Sequence, residues 1–239
     1  MSKTAIITGA GTGIGQGIAV AFAQAGYNLS LAGRRREPLE ETAGKCCHGN
    51  IQVVATDVTD RASVQALVQK TIDAFGSIDV LISNAGINTK ARNLDDISDE
   101  DWDRVININL TGAFNAFRAV RAQMKKQEDG VVINISSMAG KRAGTVGGAA
   151  YSASKFGMAS LTQSINAEFR GNGIRACCIF PGEVDTPILD HRPNPVSTAK
   201  RAAALLPEDI AAAALMVAQL HNRAIVEEMT IFPRRVVSN

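Results

Sequence analysis

Seven short apolar runs, separated by longer segments of helical or polar character, constrain this sequence more than any other feature. The runs are Ala5–Thr8, Asn28–Ala32, Gln52–Ala55, Val80–Ser83, Val131–Ile135, Arg175–Phe180 and Met229–Phe232. Several are apolar almost throughout, which is typical of strands that are covered on both faces. Alternation of this kind predicts an α/β protein with a doubly wound sheet of about seven parallel strands and helices on both faces.

Two of the segments between the runs have a clear helical period. They are Ala62–Phe75 and Asp101–Lys126, and Asp60 and Ser98 are in position to cap their N-termini. A different segment, from Gly182 to Pro207, is rich in proline and polar residues and is long for a connection. Because 239 residues suit one full core, we predict a single catalytic domain over residues 1–239 with a substrate loop at about 183–207.

Charge and hydropathy argue against several classes of function. The net charge is +2, and the arginine cluster Arg34–Arg36 is short, so no nucleic-acid partner is expected. No window approaches 18 uninterrupted apolar residues, and the start MSKTAII has no signal-peptide pattern. We therefore expect no membrane span and a cytoplasmic location.

The four cysteines form two adjacent pairs, Cys46-Cys47 and Cys177-Cys178. Neither pair has the spacing of a metal site. We predict four reduced thiols, with the second pair buried in a strand, and no metal centre.

The first apolar run leads into TGAGTGIGQG, in which Gly9, Gly13 and Gly15 have the spacing G-x-x-x-G-x-G. Glycine permits a sharp turn and leaves no Cβ between backbone amides and a phosphate. A strand that turns sharply into a helix start can hold a pyrophosphate. By itself the glycine pattern fits either a nucleotide loop or a simple tight turn.

The end of the second run carries information on the type of nucleotide. Dinucleotide sites often place an acidic residue there for the ribose 2′-hydroxyl, whereas an arginine suits a 2′-phosphate. Here Gly33 stands in the acidic position and Arg34 is the next residue. The guanidinium group matches a phosphate in geometry, so we predict NADP(H) in preference to NAD(H). The alternative is that Arg34 faces only water.

A possible acid/base pair lies at Tyr151 and Lys155, four residues apart and therefore on one face of a helix. The phenol has an ordinary pKa of about 10, and a nearby ammonium is expected to lower that pKa toward neutrality. Upstream, Ser136 and Ser137 end a strand, where a hydroxyl could hold a substrate oxygen, although such a pair is also common as a turn or cap. Alone, each of these features is weak.

Taken together and in this order, the motifs resemble the classical short-chain dehydrogenase/reductase (SDR) family along nearly the whole chain. The resemblance rests on Thr8-Gly-x-x-x-Gly-Ile-Gly15, Asp57, Asn84-Ala-Gly86, Asn109, Ser137, Tyr151-x-x-x-Lys155, Pro181-Gly182 and Thr186. It implies a Rossmann-like fold. It also implies an enzyme that interconverts a carbonyl and a secondary alcohol by hydride transfer with a nicotinamide cofactor.

The resemblance also implies the role of each matching residue. The implied catalytic residues are Tyr151 as acid/base, Lys155 as its partner and ligand of the nicotinamide ribose, Ser137 as the group that orients the substrate oxygen, and Asn109 as holder of a water. The implied cofactor-binding residues, besides Tyr151 and Lys155, are Gly9, Gly13, Ile14 and Gly15 at the pyrophosphate turn, Arg34, Asp57 and Val58 at the adenosine end, Asn84, Ala85 and Gly86 beside the cofactor, and Pro181, Gly182 and Thr186 along the nicotinamide. Without the resemblance, Asn109 would be interpreted as a locally bonded or helix-bending residue.

The sequence departs from the family pattern in places. Ser83 replaces the usual first asparagine of N-N-A-G, and Ser137 lies 14 residues before Tyr151, where 13 is commoner. If the extra residue is not in the loop GTVGGAA, Ser136 replaces Ser137 as the candidate. Two other functions stay open: a cofactor-binding regulator without turnover, and an NAD-dependent polyol or hydroxy-acid dehydrogenase.

The substrate is a small molecule whose identity the sequence leaves open. Three segments are expected to line its pocket: Thr89–Asp96, Met138–Ala149 and Gly182–Pro207. They combine apolar residues with Lys141, Arg142, His191 and Arg192, a mixture that suits a small keto acid or a polyol but also ordinary solvent-facing charge. The resemblance further implies a homodimer or homotetramer. Met158, Leu161 and Ile165 come after Tyr151 at helical spacing, and ordinary core packing explains them equally well.

Overall fold

A computed structural model describes residues 2–235 of the chain. Its strands form one parallel sheet in the order β3-β2-β1-β4-β5-β6-β7. The strands are β1 (Thr4–Thr8), β2 (Asn28–Gly33), β3 (Ile51–Ala55), β4 (Val80–Ser83), β5 (Gly130–Ile135), β6 (Ile174–Pro181) and β7 (Glu228–Ile231). The predicted doubly wound, Rossmann-like sheet of seven parallel strands is confirmed, and each predicted strand end lies within one residue of the observed end.

Eight α-helices connect and cover the strands in the described part of the chain. They are α1 (Gly13–Gln24), α2 (Arg36–Lys45), α3 (Arg61–Phe75), α4 (Asp99–Ile106), α5 (Gly112–Gln127), α6 (Ala149–Phe169), α7 (Thr198–Ala203) and α8 (Pro207–Gln219). Both predicted caps are present: the Asp60 carboxylate accepts from the Ala62 N–H at 2.9 Å, and the Ser98 hydroxyl accepts from the Asp101 N–H at 3.1 Å. Each cap satisfies an N–H that the helix itself leaves unpaired.

Two apolar cores lie on opposite faces of the sheet. Helices α1 and α8 cover one face, where Ile18, Phe22 and Ile210 pack against the strands. Helices α3, α5 and α6 cover the other, where Leu67 and Phe117 are part of the core. Burial on both faces explains why the central strands β1, β4 and β5 are largely apolar.

The predicted helix Asp101–Lys126 is not a regular α-helix, and this prediction needs correction. Helix α4 runs into a π-helical turn, Asn107–Thr111, which continues into α5. A π turn inserts one extra residue into the helix and rotates the residues after it, and such turns occur often at functional sites. The turn carries Asn109, which contacts both the loop after β4 and α6.

The segment after β6 is more ordered than a plain loop. It contains a 3-10 turn at Pro187–His191 and helix α7. A bridge between Val184 and Leu205 joins its two ends. The segment therefore folds back on itself at the carboxyl edge of the sheet.

The chain leaves β1 toward β2 and β3 on one side of the sheet and then continues from β4 to β7 on the other side. The carboxyl ends of β1 and β4 consequently diverge into a crevice, the usual ligand position in sheets of this kind. Among residues 2–235, no helix is both long and apolar enough to cross a membrane.

Candidate active site

A cavity of about 640 Å³ lies at this crevice and extends over the ends of β5 and β6. Most of the predicted site residues line it: Gly9, Gly13, Ile14, Asn84, Ala85, Gly86, Ser137, Tyr151, Lys155, Pro181, Gly182 and Thr186. Gly15 and Asn109 contact these residues from behind the cavity wall. The structure thus brings together residues that lie far apart in the sequence.

The glycine turn is closely packed against the loop after β4. Gly9 has a φ of +65°, and a Cβ there would lie 2.8 Å from the Cα of Ala85. A Cβ on Gly15 would lie 2.2 Å from the carbonyl oxygen of Gly9. The Asn84 amide donates to the carbonyls of Thr8 and Gly9, both at 3.1 Å. The turn has no room for larger side chains, and Asn84 holds its shape.

The start of the segment after β6 lies opposite this turn, on the other side of the cavity, and the space between them is called the groove below. A Cβ on Gly13 would lie 3.1 Å from the Cγ2 of Thr186. The groove therefore narrows between Gly13 and Thr186, as expected if the two residues contact one ligand from opposite sides.

Arg34, Asp57 and Val58 lie outside the cavity, at the carboxyl ends of β2 and β3. The positive charge of Arg34 is close enough to contribute to lowering the pKa of the Asp57 carboxyl, after the larger effect of a hydrogen bond from the Thr59 N–H. Val58 is buried and its carbonyl accepts from the Asn115 amide at 3.0 Å.

Lys155 lies one turn after Tyr151 on α6, with its Nζ 5.6 Å from the centre of the Tyr151 ring. The ammonium is buried and donates to the carbonyl of Ile135 at 2.8 Å. Burial lowers the pKa of Lys155 to about 8. A charge in so dry an environment acts on its neighbours with little screening.

The pKa of Tyr151 differs from the sequence-based expectation. Burial raises the pKa of the phenol above 10.0, because the phenolate loses its hydration. A hydrogen bond with Ser137 opposes this rise, and so do the positive charges of Arg92 and Arg192. The expected shift toward neutrality is therefore wrong for this arrangement: the Lys155 ammonium is bonded to Ile135, and burial outweighs the charges that favour the phenolate.

The two serines at the end of β5 have different partners. The Ser136 hydroxyl is buried and donates to the carbonyl of Lys155 at 3.0 Å. The Ser137 hydroxyl accepts from the Ala139 N–H at 3.2 Å and is the one that reaches the Tyr151 phenol. Both serines line the cavity, and Ser137 is also the cap of a short 3-10 turn.

Asn109 is fully buried and forms three hydrogen bonds across the site. Its amide oxygen accepts from the Ile87 N–H at 2.8 Å, and its amide nitrogen donates to the Ile87 carbonyl at 3.0 Å and to the Ser154 hydroxyl at 3.1 Å. A Cβ on Gly86 would lie 3.4 Å from this amide oxygen and 3.6 Å from the Lys155 Nζ. Asn109 therefore connects the loop after β4 to the helix that carries Tyr151, rather than bonding within its own helix.

Several cavity residues were not individually predicted. Arg92 belongs to the predicted segment Thr89–Asp96, but nothing in the sequence sets it apart. Phe232, Pro233 and Arg235 also line the cavity, and they come from the C-terminal segment after β7. Their presence is a consequence of the pairing of β7 with β6, a long-range contact.

The basic residues of the predicted pocket segments divide into two groups. Arg142 and Arg192 line the cavity as predicted. Lys141 does not, because its ammonium pairs with Glu228, and His191 contacts this region through its backbone carbonyl, which accepts from Arg92. On α6, Met158 and Ile165 are buried, so core packing explains both.

The cysteines are free, and Cys177 and Cys178 are buried in β6 as predicted. Residues 2–235 contain no group of three or more potential metal-binding side chains.

The sheet order, the glycine turn at its switch point and the cluster around Tyr151 define a Rossmann-like α/β enzyme. The short chain dehydrogenase family model matches residues 3–196. The chain belongs to that family. It is an oxidoreductase that acts on CH–OH groups with a nicotinamide cofactor.

Individual relatives agree with this assignment. An uncharacterized oxidoreductase of Staphylococcus aureus strain USA300 is 34% identical over 231 residues, which cover 97% of each chain. A 3-oxoacyl-[acyl-carrier-protein] reductase of Thermotoga maritima is 36% identical over 194 residues, which cover 80% of this chain and 78% of the relative. The structure of an alcohol dehydrogenase of Thermococcus sibiricus in complex with 5-hydroxy-NADP superposes with a TM-score of 0.87, at 27% identity and with all of both chains covered.

Proposed function

We propose that this enzyme is an NADP(H)-dependent oxidoreductase that interconverts a carbonyl and a secondary alcohol, with Tyr151 as the acid/base. The observation that carries the proposal is the meeting of Tyr151, Ser137 and Lys155 in the same cavity as the glycine turn. A substrate oxygen that contacts the Tyr151 phenol would therefore lie in the same cavity as a dinucleotide bound at the glycine turn. Positioning of this kind supplies a large part of the rate in such reactions.

The residues fit a dinucleotide. A Cβ on Gly9 or Gly15 would meet backbone atoms at 2.8 and 2.2 Å, and one on Gly13 would crowd Thr186 at 3.1 Å, so glycine at these positions permits the tight turn that leads into the helix. Helix α1 begins at Gly13, and its N-terminal N–H groups favour a pyrophosphate. The T. sibiricus relative is complexed with an NADP derivative, which supports a nicotinamide cofactor here.

Preference for NADP(H) rests on Arg34. Its charge acts on Asp57 at the neighbouring strand end, and Gly33 leaves no carboxylate in the position that would select a ribose 2′-hydroxyl. A 2′-phosphate between these strand ends would gain a guanidinium partner. Asp57 and Val58 would border the adenine.

Each residue at the reacting end has a proposed part in the chemistry. NADP(H), when bound, supplies or accepts the hydride. Tyr151 gives a proton to the oxygen during reduction and takes it back during oxidation, and Ser137 orients that oxygen. The raised pKa keeps the phenol protonated at neutral pH, which suits reduction, while Ser137, Arg92 and Arg192 ease formation of the phenolate that oxidation requires.

Lys155 and Asn109 have supporting roles for Tyr151 and Ser137. Lys155 would bind the nicotinamide ribose, and Asn109 holds the loop at Ile87 against α6. Pro181, Gly182 and Thr186 would lie along the nicotinamide.

We also propose a cytoplasmic homodimer or homotetramer. Phe114 on α5 and Phe156 on α6 expose 38% and 44% of their surface, although phenylalanine is normally buried. Assembly through these two helices would cover both rings. Light scattering would test this, and a monomer would contradict it without affecting the chemistry.

The cofactor proposal is tested by the dissociation constants of NADPH and NADH in wild type, Arg34→Asp and Arg36→Asp. In wild type NADPH should bind about 10- to 100-fold more tightly, because a hydrogen bond to a charged group contributes about 1.5–3 kcal/mol. Arg34→Asp should abolish or reverse this preference. Arg36 pairs with Glu40 on α2, so Arg36→Asp is the matched control and should retain it. Equal affinities in wild type would defeat the NADP(H) assignment and favour an NAD-dependent enzyme.

Turnover itself is tested with a panel of ketones with NADPH and secondary alcohols with NADP⁺, monitored at the absorbance of the reduced cofactor. Tight cofactor binding without turnover of any compound would favour a regulatory role.

A further inference from the structure

Three of the arginines that line the cavity come from three separate loops. Arg92 lies after β4, Arg142 after β5 and Arg192 after β6. Among the described residues that line the cavity, Glu183 is the only carboxylate. The predicted glycine turn and nicotinamide contacts use none of these arginines, and the effect of Arg92 and Arg192 on Tyr151 does not account for three guanidinium groups around one cavity.

Arg92 is the most informative of the three because it is only 5% exposed. Its guanidinium donates to the carbonyls of Thr89 at 2.9 Å, Val146 at 2.7 Å and His191 at 2.8 Å. These acceptors are neutral, and within residues 2–235 no carboxylate pairs with Arg92 in an ion pair. Buried charges are normally paired, because an unpaired one loses its hydration without compensation.

The hydrogen bonds of Arg92 also leave donors available. A guanidinium has five N–H groups, and the three bonds use Nε and one N–H on each terminal nitrogen. One N–H therefore remains on each terminal nitrogen. Two N–H donors are the number that a carboxylate accepts in a two-bond contact with a guanidinium.

Glu183 does not neutralise this region. It pairs with Arg192 at 3.0 Å and lies 3.7 Å from the Lys200 ammonium, so one carboxylate already serves two cations. Arg92 donates to the carbonyl of His191, the residue before Arg192, and both arginines line the cavity. Burial lowers the pKa of Arg92, and repulsion by the like charge of Arg192 lowers it further. An anion between them would relieve that repulsion.

We propose that the substrate carries a carboxylate, bound by Arg92 and Arg192 with Arg142 at the rim, and that the enzyme interconverts small oxo acids and hydroxy acids. This rests on the proposed function of the same site. In the reduction, the carbonyl carbon gains a hydride from the reduced cofactor and the carbonyl oxygen gains a proton from Tyr151, which yields a hydroxy acid and the oxidised cofactor. The carboxylate itself is unchanged and only positions the carbonyl.

The test compares three oxo acids with their methyl esters: pyruvate, acetoacetate and levulinate, in which the carboxylate lies at increasing distance from the ketone. The esters keep the ketone and remove the charge. At least one acid should have a kcat/KM about tenfold or more above that of its ester, as expected for hydrogen bonds to a charged group. Arg192→Met should bring that ratio toward one, and a ratio unchanged from wild type would overturn the proposal. Arg192 is partly exposed, and its partner Glu183 keeps Lys200 nearby, so the variant should fold.

The matched control is Lys90→Met, which removes one positive charge from the loop that also carries Arg92. Lys90 is exposed and is not among the residues that line the cavity, so the preference for acids should be retained. If acids and esters are reduced equally well, the proposed carboxylate site is overturned while the oxidoreductase function stands. Faster reduction of a phosphorylated ketone, dihydroxyacetone phosphate, than of every acid would overturn it in favour of a phosphate.

If no ketone is reduced, the proposed function is at fault, and binding then decides the carboxylate separately. Calorimetry with the three acids and their esters should show saturable binding of an acid that weakens in Arg192→Met and is unchanged in Lys90→Met. Absence of binding by all three acids would overturn the proposal.

Discussion

Replacement of Asn109 by alanine should destabilise the protein and disturb the active site together. The change removes three hydrogen bonds at 2.8, 3.0 and 3.1 Å and leaves the N–H and carbonyl of Ile87 without their partner. At about 1 kcal/mol for each bond, with some recovery by water at the loop, the free energy of unfolding should fall by about 2–3 kcal/mol. For a domain of this size that loss corresponds to a decrease in Tm of roughly 4–12 °C.

The assay is urea unfolding monitored by circular dichroism, with Asn107→Ala as control. Asn107 lies in the same π-helical turn but is exposed, so its loss should change the free energy of unfolding by less than about 0.5 kcal/mol. Activity should fall in Asn109→Ala and not in the control, because Asn109 positions the loop next to Lys155. Equal stability of the two variants would refute the claim that Asn109 connects this loop to α6.

Two further measurements test the environment of buried groups. Burial raises the pKa of Cys177 to about 12 and of Cys178 to about 11. A thiol reagent at pH 8 should therefore label Cys47 and, more slowly, Cys46, and should reach all four thiols only after unfolding. Rapid labelling of all four in the folded protein would contradict the burial of Cys177 and Cys178. Lys155 has a native pKa of about 8 against 10.5 in its ordinary state. Between these two pH values the unfolded chain binds more protons than the folded chain, so the free energy of unfolding rises with pH. The cost of burying the ammonium is therefore full below pH 8 and is relieved as the pH rises. Urea unfolding of Lys155→Met and wild type at pH 7 and pH 10 should show the advantage of the variant shrinking by up to about 3 kcal/mol, and a constant difference would contradict the shift.

The strands were predictable because most are buried on both faces, as β1, β4, β5 and β6 are throughout, and are bounded by polar or glycine residues. The sequence pattern of such strands is local, so their positions can be predicted without knowledge of long-range contacts. The π-helical turn was not predictable, since ININLTGAF fits a regular helix equally well. Asn109 in this turn bonds to Ile87, which lies 22 residues away in the sequence, and a local pattern does not reveal such a contact.

The candidate site divides in the same way. Gly9, Tyr151 and Lys155 stand in motifs whose spacing sets their geometry. Arg92 has no such motif, and its importance appears only when three loops fold around its guanidinium. The pKa of Tyr151 also depended on the fold, because the spacing to Lys155 defines a distance along the helix but not the burial of the phenol or the carbonyl that the ammonium prefers.

The central claim is that the Tyr151 phenol exchanges the proton with the substrate. Tyr151→Phe removes only the hydroxyl, and Tyr27→Phe is the matched control, since Tyr27 is buried in the core against Phe22. Turnover of a substrate found in the panel should fall by at least about 100-fold in Tyr151→Phe, with the dissociation constant of NADPH unchanged, while Tyr27→Phe keeps its turnover. Normal turnover in Tyr151→Phe with NADPH still bound would contradict the account.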